Sequence, residues 1–210
     1  MANRDNHYEA AFEEFLRSRG VPYVAVDEAK RSLLSDGGSI KSLDFIVSSG
    51  IETSAHPQHA ACEDDPNGGL PRPVRWLVDV KGRRFPSGDV QKQYWKNWST
   101  RDDLRSLAQW EELFGESFRG LFVFAYDVLG DRSPLPAEEL FLYRGSLYGF
   151  IAVPLRDYAA HVRPISPRWD TWAMPADDFR RFARPLADLL CFNRFANPDA
   201  DDDTRRRDNH

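Results

Sequence analysis

Arg75-Trp76-Leu77-Val78-Asp79-Val80-Lys81 changes side at every residue, as a β-strand does. Trp76, Val78 and Val80 fall on one face, and Leu77, Asp79 and Lys81 fall on the other. An acid and an amine two residues apart therefore emerge together from an otherwise apolar strand. Metal-dependent phosphodiester hydrolysis needs that pairing: hard oxygen ligands for Mg²⁺, and a cation near the attacked phosphate. A same-face ion pair at a strand end uses the same two residues. With 33 acidic residues in the chain, about one acid-x-Lys triplet arises by chance, and Glu28-Ala29-Lys30 is a second. Setting separates the two, since Asp79 follows Trp76-Leu77-Val78 inside a strand whereas Glu28 lies where a strand runs out.

Working outward, Tyr8, Phe12, Phe15 and Leu16 recur at helical spacing and predict a helix over His7–Arg19, closed by Gly20. Val21–Val26 reads as a strand, with Pro22 near its start, and Leu43–Val47 reads as another. Residues 48–73 crowd Gly, Pro, Asn and Asp, which predicts a loop insertion. Asp102–Phe114 predicts a second helix with Thr100 as a candidate N-cap. Leu121–Val128 and Glu139–Val153 hold two or three strands, the latter broken by the hairpin signal Arg144-Gly145-Ser146. Phe179, Phe182, Leu186 and Leu190 predict a closing helix that Pro185 kinks or splits. Trp169 and Trp172 are candidates to cover the far face of the sheet, and His161 reads as a surface residue. The order of elements predicts an α/β fold with a mixed central sheet, one domain over 1–196 and a disordered tail over 197–210.

The chain of 210 residues has 41% apolar and 29% charged residues, the balance of a globular protein. Its net charge of -5 excludes a polycation that coats nucleic acid. No apolar run approaches the ~20 residues of a membrane span. The acidic first residues do not read as a secretory signal, and Cys62 and Cys191 are too few for a disulfide framework. The expected location is cytoplasmic.

Further acids come earlier in the chain. Asp44 opens one strand and could reach an ion held at Asp79 if the two strands are neighbours. Glu9 lies in the first helix, where Asn6-x-x-Glu9 also fits a capping box. After Lys81 the charge reverses: six basic residues against Asp89 give residues 81–101 a local charge of +5. Arg83, Arg84, Gln91, Lys92, Gln93, Tyr94, Trp95, Lys96 and Trp98 form a basic, aromatic segment fit for backbone neutralisation and base stacking. The competing reading is a segment whose aromatics are core and whose cations are solvated. His56, His59 and Cys62 would need Asp64 or Asp65 to complete a zinc site, and a polar loop is the preferred reading.

Helical Glu9, then Asp44, then Asp79-Val80-Lys81 on successive strands resemble the PD-(D/E)XK nuclease superfamily, in particular archaeal-type Holliday junction resolvases. The resemblance spans about residues 7–126. It implies a restriction-endonuclease-like core, with Glu9, Asp44, Asp79 and the Val80 carbonyl as ligands of Mg²⁺ (or Mn²⁺). Lys81 would assist the attacking water, DNA would be the partner, and junction resolution would call for a homodimer. Gln91-x-x-x-Trp95 is similar to a Gln-x-x-x-Tyr motif of those enzymes. Two features depart from the pattern: Leu43 stands where Pro precedes the aspartate, and 35 residues separate Asp44 from Asp79. Inactive members of the superfamily leave a second expectation, a binding module that keeps the fold. His7-Tyr8-Glu9-Ala10-Ala11-Phe12-Glu13 further resembles the signature of the HYExAFE family, whose name carries no activity.

Overall fold

The computed structural model describes residues 6–26, 40–49, 74–86, 95–130 and 132–190. The 48–73 insertion beyond Ser49, the His56/His59/Cys62 group, Gln91, Lys92, Gln93, Tyr94 and the 197–210 tail lie outside the described residues.

Helix α1 (His7–Ser18) starts at Asn6, whose side chain accepts the Tyr8 N–H at 3.1 Å. Phe12, Phe15 and Leu16 bury its predicted stripe. Gly20, at φ +65°, turns the chain toward β1 (Tyr23–Ala25), as a left-handed C-terminal residue does. Strand β2 (Phe45–Ser48) pairs antiparallel with β1 and with β3 (Arg75–Phe85). Strand β3 runs four residues past Lys81, because its far side pairs in parallel with all eleven residues of β5 (Phe118–Val128). Parallel neighbours need a crossover, and β4 (Trp98–Thr100) and α2 (Arg101–Phe114) supply it.

Antiparallel β7 (Ser146–Pro154) continues the sheet, flanked by β6 (Phe141–Tyr143) and later by β10 (Arg184–Pro185). The β6–β7 turn falls at the predicted hairpin, with Arg144 and Gly145 both at positive φ, the backbone of a tight two-residue turn. The result is an α/β fold: a mixed seven-stranded sheet, order β1-β2-β3-β5-β7-β10 with β6 on β7, flanked by helices.

Each sheet face has its own core. Trp76, Val78, Val80, Leu121, Val123 and Phe150 pack under α1. Leu77, Phe122, Phe124 and Tyr126 pack with α2, α3 (Leu155–His161) and α4 (Ala176–Phe182). The predicted closing helix is split, because Pro185 pairs with Ile151 as part of β10 before the short α5 (Leu186–Leu189) resumes. A second sheet, β4-β9-β8, adds β8 (Arg163–Ser166) and β9 (Thr171–Ala173). Its strands are short, and Pro164 interrupts any alternation that could announce them.

Two expectations are corrected here. Trp169 is 67% exposed and covers no sheet face, because Asp170 at φ 45° turns the chain away before β9. His161 is half-buried, its ring 4.1 Å from that of Phe182 and its Nδ1 2.8 Å from the Asp157 carbonyl. Among the described residues no helix is long and apolar enough to cross a membrane.

Tyr8 lies flat on Gly82 of β3, where a Cβ would come within 2.1 Å of the ring. Gly82→Ala is expected to cost about 1–3 kcal/mol in denaturant unfolding, because it forces the ring off the strand. In a Tyr8→Ala background the same change should cost nothing measurable; an equal cost there would remove the ring as the cause.

Candidate metal and catalytic cleft

Strand β2 begins at Phe45, opposite Val78, whereas β3 continues to Phe85. Beyond Val78 the β2-side edge of β3 has no strand partner among the described residues. Asp44 fills the first vacant position: its N–H bonds the Val78 carbonyl at 2.9 Å, and its Oδ2 accepts the Val80 N–H at 2.6 Å. Backbone groups of alternate strand residues point to the same edge, so the Val80 carbonyl faces this gap too.

Asp79 and Lys81 occupy the α2 face, as their alternation requires. Lys81 Nζ lies 2.9 Å from Asp79 Oδ1 and 3.1 Å from Asp103 Oδ2. Asp103 belongs to the first turn of α2, where it forms a capping box with Thr100: the Thr100 N–H donates to Oδ2 at 2.8 Å, and the Asp103 N–H to Thr100 Oγ1 at 3.1 Å. Its Oδ1 accepts from Lys41 Nζ at 2.9 Å. The Lys41 backbone is clamped to α2 by Ser106 Oγ at 3.1 Å and by the Trp110 indole at 2.7 Å.

Strand β4 carries Thr100, and it is held from the C-terminal part of the chain. The Tyr158 hydroxyl donates to the Asn97 carbonyl, and the Asn97 amide bonds both backbone groups of Met174 at 2.9 and 3.0 Å. Glu9 reaches the site from α1 and accepts a hydrogen bond from the Asn6 side chain. Asn6 is thus the cap, and its side-chain amide meets Glu9.

A cleft of about 230 Å³ gathers Glu9, Asp44, Asp79, Val80 and Lys81, together with Lys41, Asp103 and Trp110. Four acids and two amines give it an excess of negative charge. Burial pushes the Asp44 carboxyl well above the usual range, and nearby Asp79 and Glu9 add to that against the Val80 N–H and Lys81. Burial also raises Asp79, opposed by Lys81 and helped by Asp103. For Lys81, burial favours losing the proton, but Asp79 and Asp103 outweigh it and the net shift is upward. Burial alone would raise Asp103, yet Lys81, the Thr100 N–H and Lys41 bring it down to about 2.

Among the described residues no three His, Cys, Asp or Glu side chains are arranged to hold a metal ion. Asp79 is engaged by Lys81, and Glu9 by Asn6. The donor set nevertheless suits a hard divalent cation, which takes one or two carboxylates and keeps several waters. Asp44, buried, and Asp79, half-buried, repel each other and are carboxylates that such a charge would relieve.

The basic, aromatic segment divides. Arg83 is buried: its guanidinium stacks 3.9 Å from the Trp98 ring and donates to the Gly82 carbonyl at 2.7 Å and to the Trp98 carbonyl. It packs rather than projecting toward a ligand. Trp95 is core, with its ring against Phe85, Tyr126 and Phe179. Lys96 is half-buried, and its carbonyl accepts the Tyr126 hydroxyl at 3.1 Å. Arg84 is exposed on the opposite face beside Tyr8, and Trp98 is 36% exposed. The sequence reading missed Asp103 and Lys41. Thr100-x-x-Asp103 is a legible capping pattern, whereas Lys41 carries no local signal.

No family model and no curated protein matches the chain, so the HYExAFE resemblance of residues 7–13 gains no support. Among solved structures, the chain is similar to the Holliday junction resolvase of the archaeal hyperthermophile Archaeoglobus fulgidus, with a TM-score of 0.43 and 8% identity. That likeness covers 88% of this chain and 98% of the resolvase. At that distance it bears on no individual residue.

Two stability measurements test the electrostatics. An acid whose folded pKa is raised destabilises above its unfolded pKa, so Asp44→Asn should stabilise the protein by about 1 kcal/mol at pH 7. The gain should vanish below about pH 4; a loss of stability at pH 7 would contradict it. Asp103 has the opposite sign. Its depressed pKa is worth about 2–3 kcal/mol above pH 4 and is lost as pH falls toward 2. The stability gap between wild type and Asp103→Asn should close over that window, and a gap independent of pH would dismiss the ion-pair cluster as its source.

Proposed function

We propose that the cleft is the active site of a Mg²⁺- or Mn²⁺-dependent nuclease hydrolysing DNA phosphodiester bonds. One observation carries this reading: acids from three separate elements line a single cleft beside an amine. Asp44 and Asp79 would hold the cation, with the Val80 carbonyl and Glu9 completing its surroundings. Bound there, the ion would polarise a phosphoryl oxygen and lower the pKa of a water. Asp44 is held in place through Oδ2 by the Val80 N–H. Lys81, fixed by Asp79 and Asp103, is a preorganised donor for the attacking water or for charge developing on the phosphate. Lys41 brings a second, half-exposed amine to the same cleft, where a phosphate backbone would need neutralising. Exposed Arg84 and Trp98 remain as described contacts for the nucleic acid, and a homodimer would supply the paired sites that a junction needs.

A second reading is a nucleic-acid or protein binding module that keeps the fold without the chemistry. It is favoured by the internal satisfaction of the cleft, where Lys81 occupies Asp79 and Asn6 occupies Glu9.

Purified wild type should cleave DNA only with divalent cation present, and Asp79→Ala and Lys81→Ala should each lower the rate by at least about 100-fold while keeping the wild-type circular dichroism. Unchanged rates in both variants would remove these residues from the chemistry. A wild type that binds DNA with any metal but never cuts it would leave the second reading.

A further inference from the structure

Two carboxylates share one ammonium in this cleft, and their supports differ. Lys81 Nζ lies 2.9 Å from Asp79 and 3.1 Å from Asp103, and the side chains of Asp79 and Lys81 are each only 16% exposed. Asp103 is anchored independently of Lys81: Oδ1 is taken by Lys41 at 2.9 Å, and Oδ2 by the Thr100 N–H at 2.8 Å. Asp79 has no such second anchor among the described hydrogen bonds. A cation that takes Asp79 through Oδ1 displaces the ammonium there, and a largely buried ammonium left without a partner is strongly unfavourable. Asp103 already holds that ammonium from the other side.

We infer that Asp103 is a positioning residue that lets Asp79 exchange Lys81 for a divalent cation, by keeping the Lys81 ammonium paired throughout. The inference rests on reading the cleft as a cation site. It gives α2 a role beyond spanning β3 and β5, since its capping residue becomes the resting place of the amine. The amine then stays in the cleft, paired to Asp103, instead of being expelled by the ion. Removing the Asp103 charge should leave Lys81 clinging to Asp79 and competing with the cation.

The test is calorimetric titration of the full-length protein with Mn²⁺ and with Mg²⁺, in a cycle of wild type, Asp103→Asn, Lys81→Met and the double variant. Asparagine can still accept the Thr100 N–H, and circular dichroism checks that the fold is kept. Asp103→Asn should weaken cation affinity on the order of tenfold. With Lys81 replaced by Met, the same substitution should change affinity less than about threefold. Equal losses in both backgrounds would mean that Asp103 acts only through its field on the ion, and no loss would mean that it does not act; either overturns the inference. A wild-type protein that takes up neither ion would end the cation-site reading itself, and this inference with it. Lysine ¹⁵N resonances give a readout on the wild type alone. The Lys81 ammonium signal should persist as Mg²⁺ is added, because Asp103 shields it from solvent exchange. Its disappearance on saturation would overturn the proposal.

Discussion

A single hydrogen bond organises the cleft: the Val80 N–H is received by a carboxylate instead of by a neighbouring strand. A strand edge inside a protein must satisfy its donors and acceptors. Because β2 begins opposite Val78, the next donor along β3 needs a substitute, and Asp44 provides it. The substitution brings a charge into the plane of the sheet. It also leaves the Val80 carbonyl facing the same opening, so one early strand start creates both the opening and the first oxygens that line it.

Placing charge there is unfavourable, and the surrounding residues show how the cost is contained. Asp44 and Asp79 are both driven upward by burial and by their neighbours. Lys81 offsets part of that repulsion and is itself held between two acids. Asp103 is the acid whose partners outweigh its burial: a helix N-terminus, a cap and two amines converge on it. The cleft is thus a strained set of acids beside one well-satisfied acid. Strain of this kind gathers at functional sites and is tolerated because the sheet and its two cores fix the geometry.

The alternation of Trp76-Leu77-Val78-Asp79-Val80-Lys81 was legible because a strand period of two assigns faces without any tertiary knowledge. The stripe of α1 and the Arg144-Gly145 turn were legible for similarly local reasons. The length of β3 was not, since Gly82-Arg83-Arg84-Phe85 owes its extended form to pairing with β5, a partner about forty residues away. The small β4-β9-β8 sheet was hidden because strands of three or four residues leave no period to count. Arg83 looked like a solvent-facing cation because sequence cannot show Trp98 folding back over it. Lys41 entered the cleft only through its clamp to α2, which no neighbouring residue announces.

Tyr158 and Met174 tie the later part of the chain, through Asn97, to a cleft whose acids lie far upstream. The Tyr158 hydroxyl secures β4; β4 ends in Thr100, Thr100 orders Asp103, and Asp103 grips Lys81. Alignment of the amine is thereby transmitted through a buried relay, and residues 155–174 serve as its foundation rather than as an accessory. Shortening the polypeptide to the segment that carries the recognisable acids would keep every acid of the cleft and lose the footing of the helix that holds its amine.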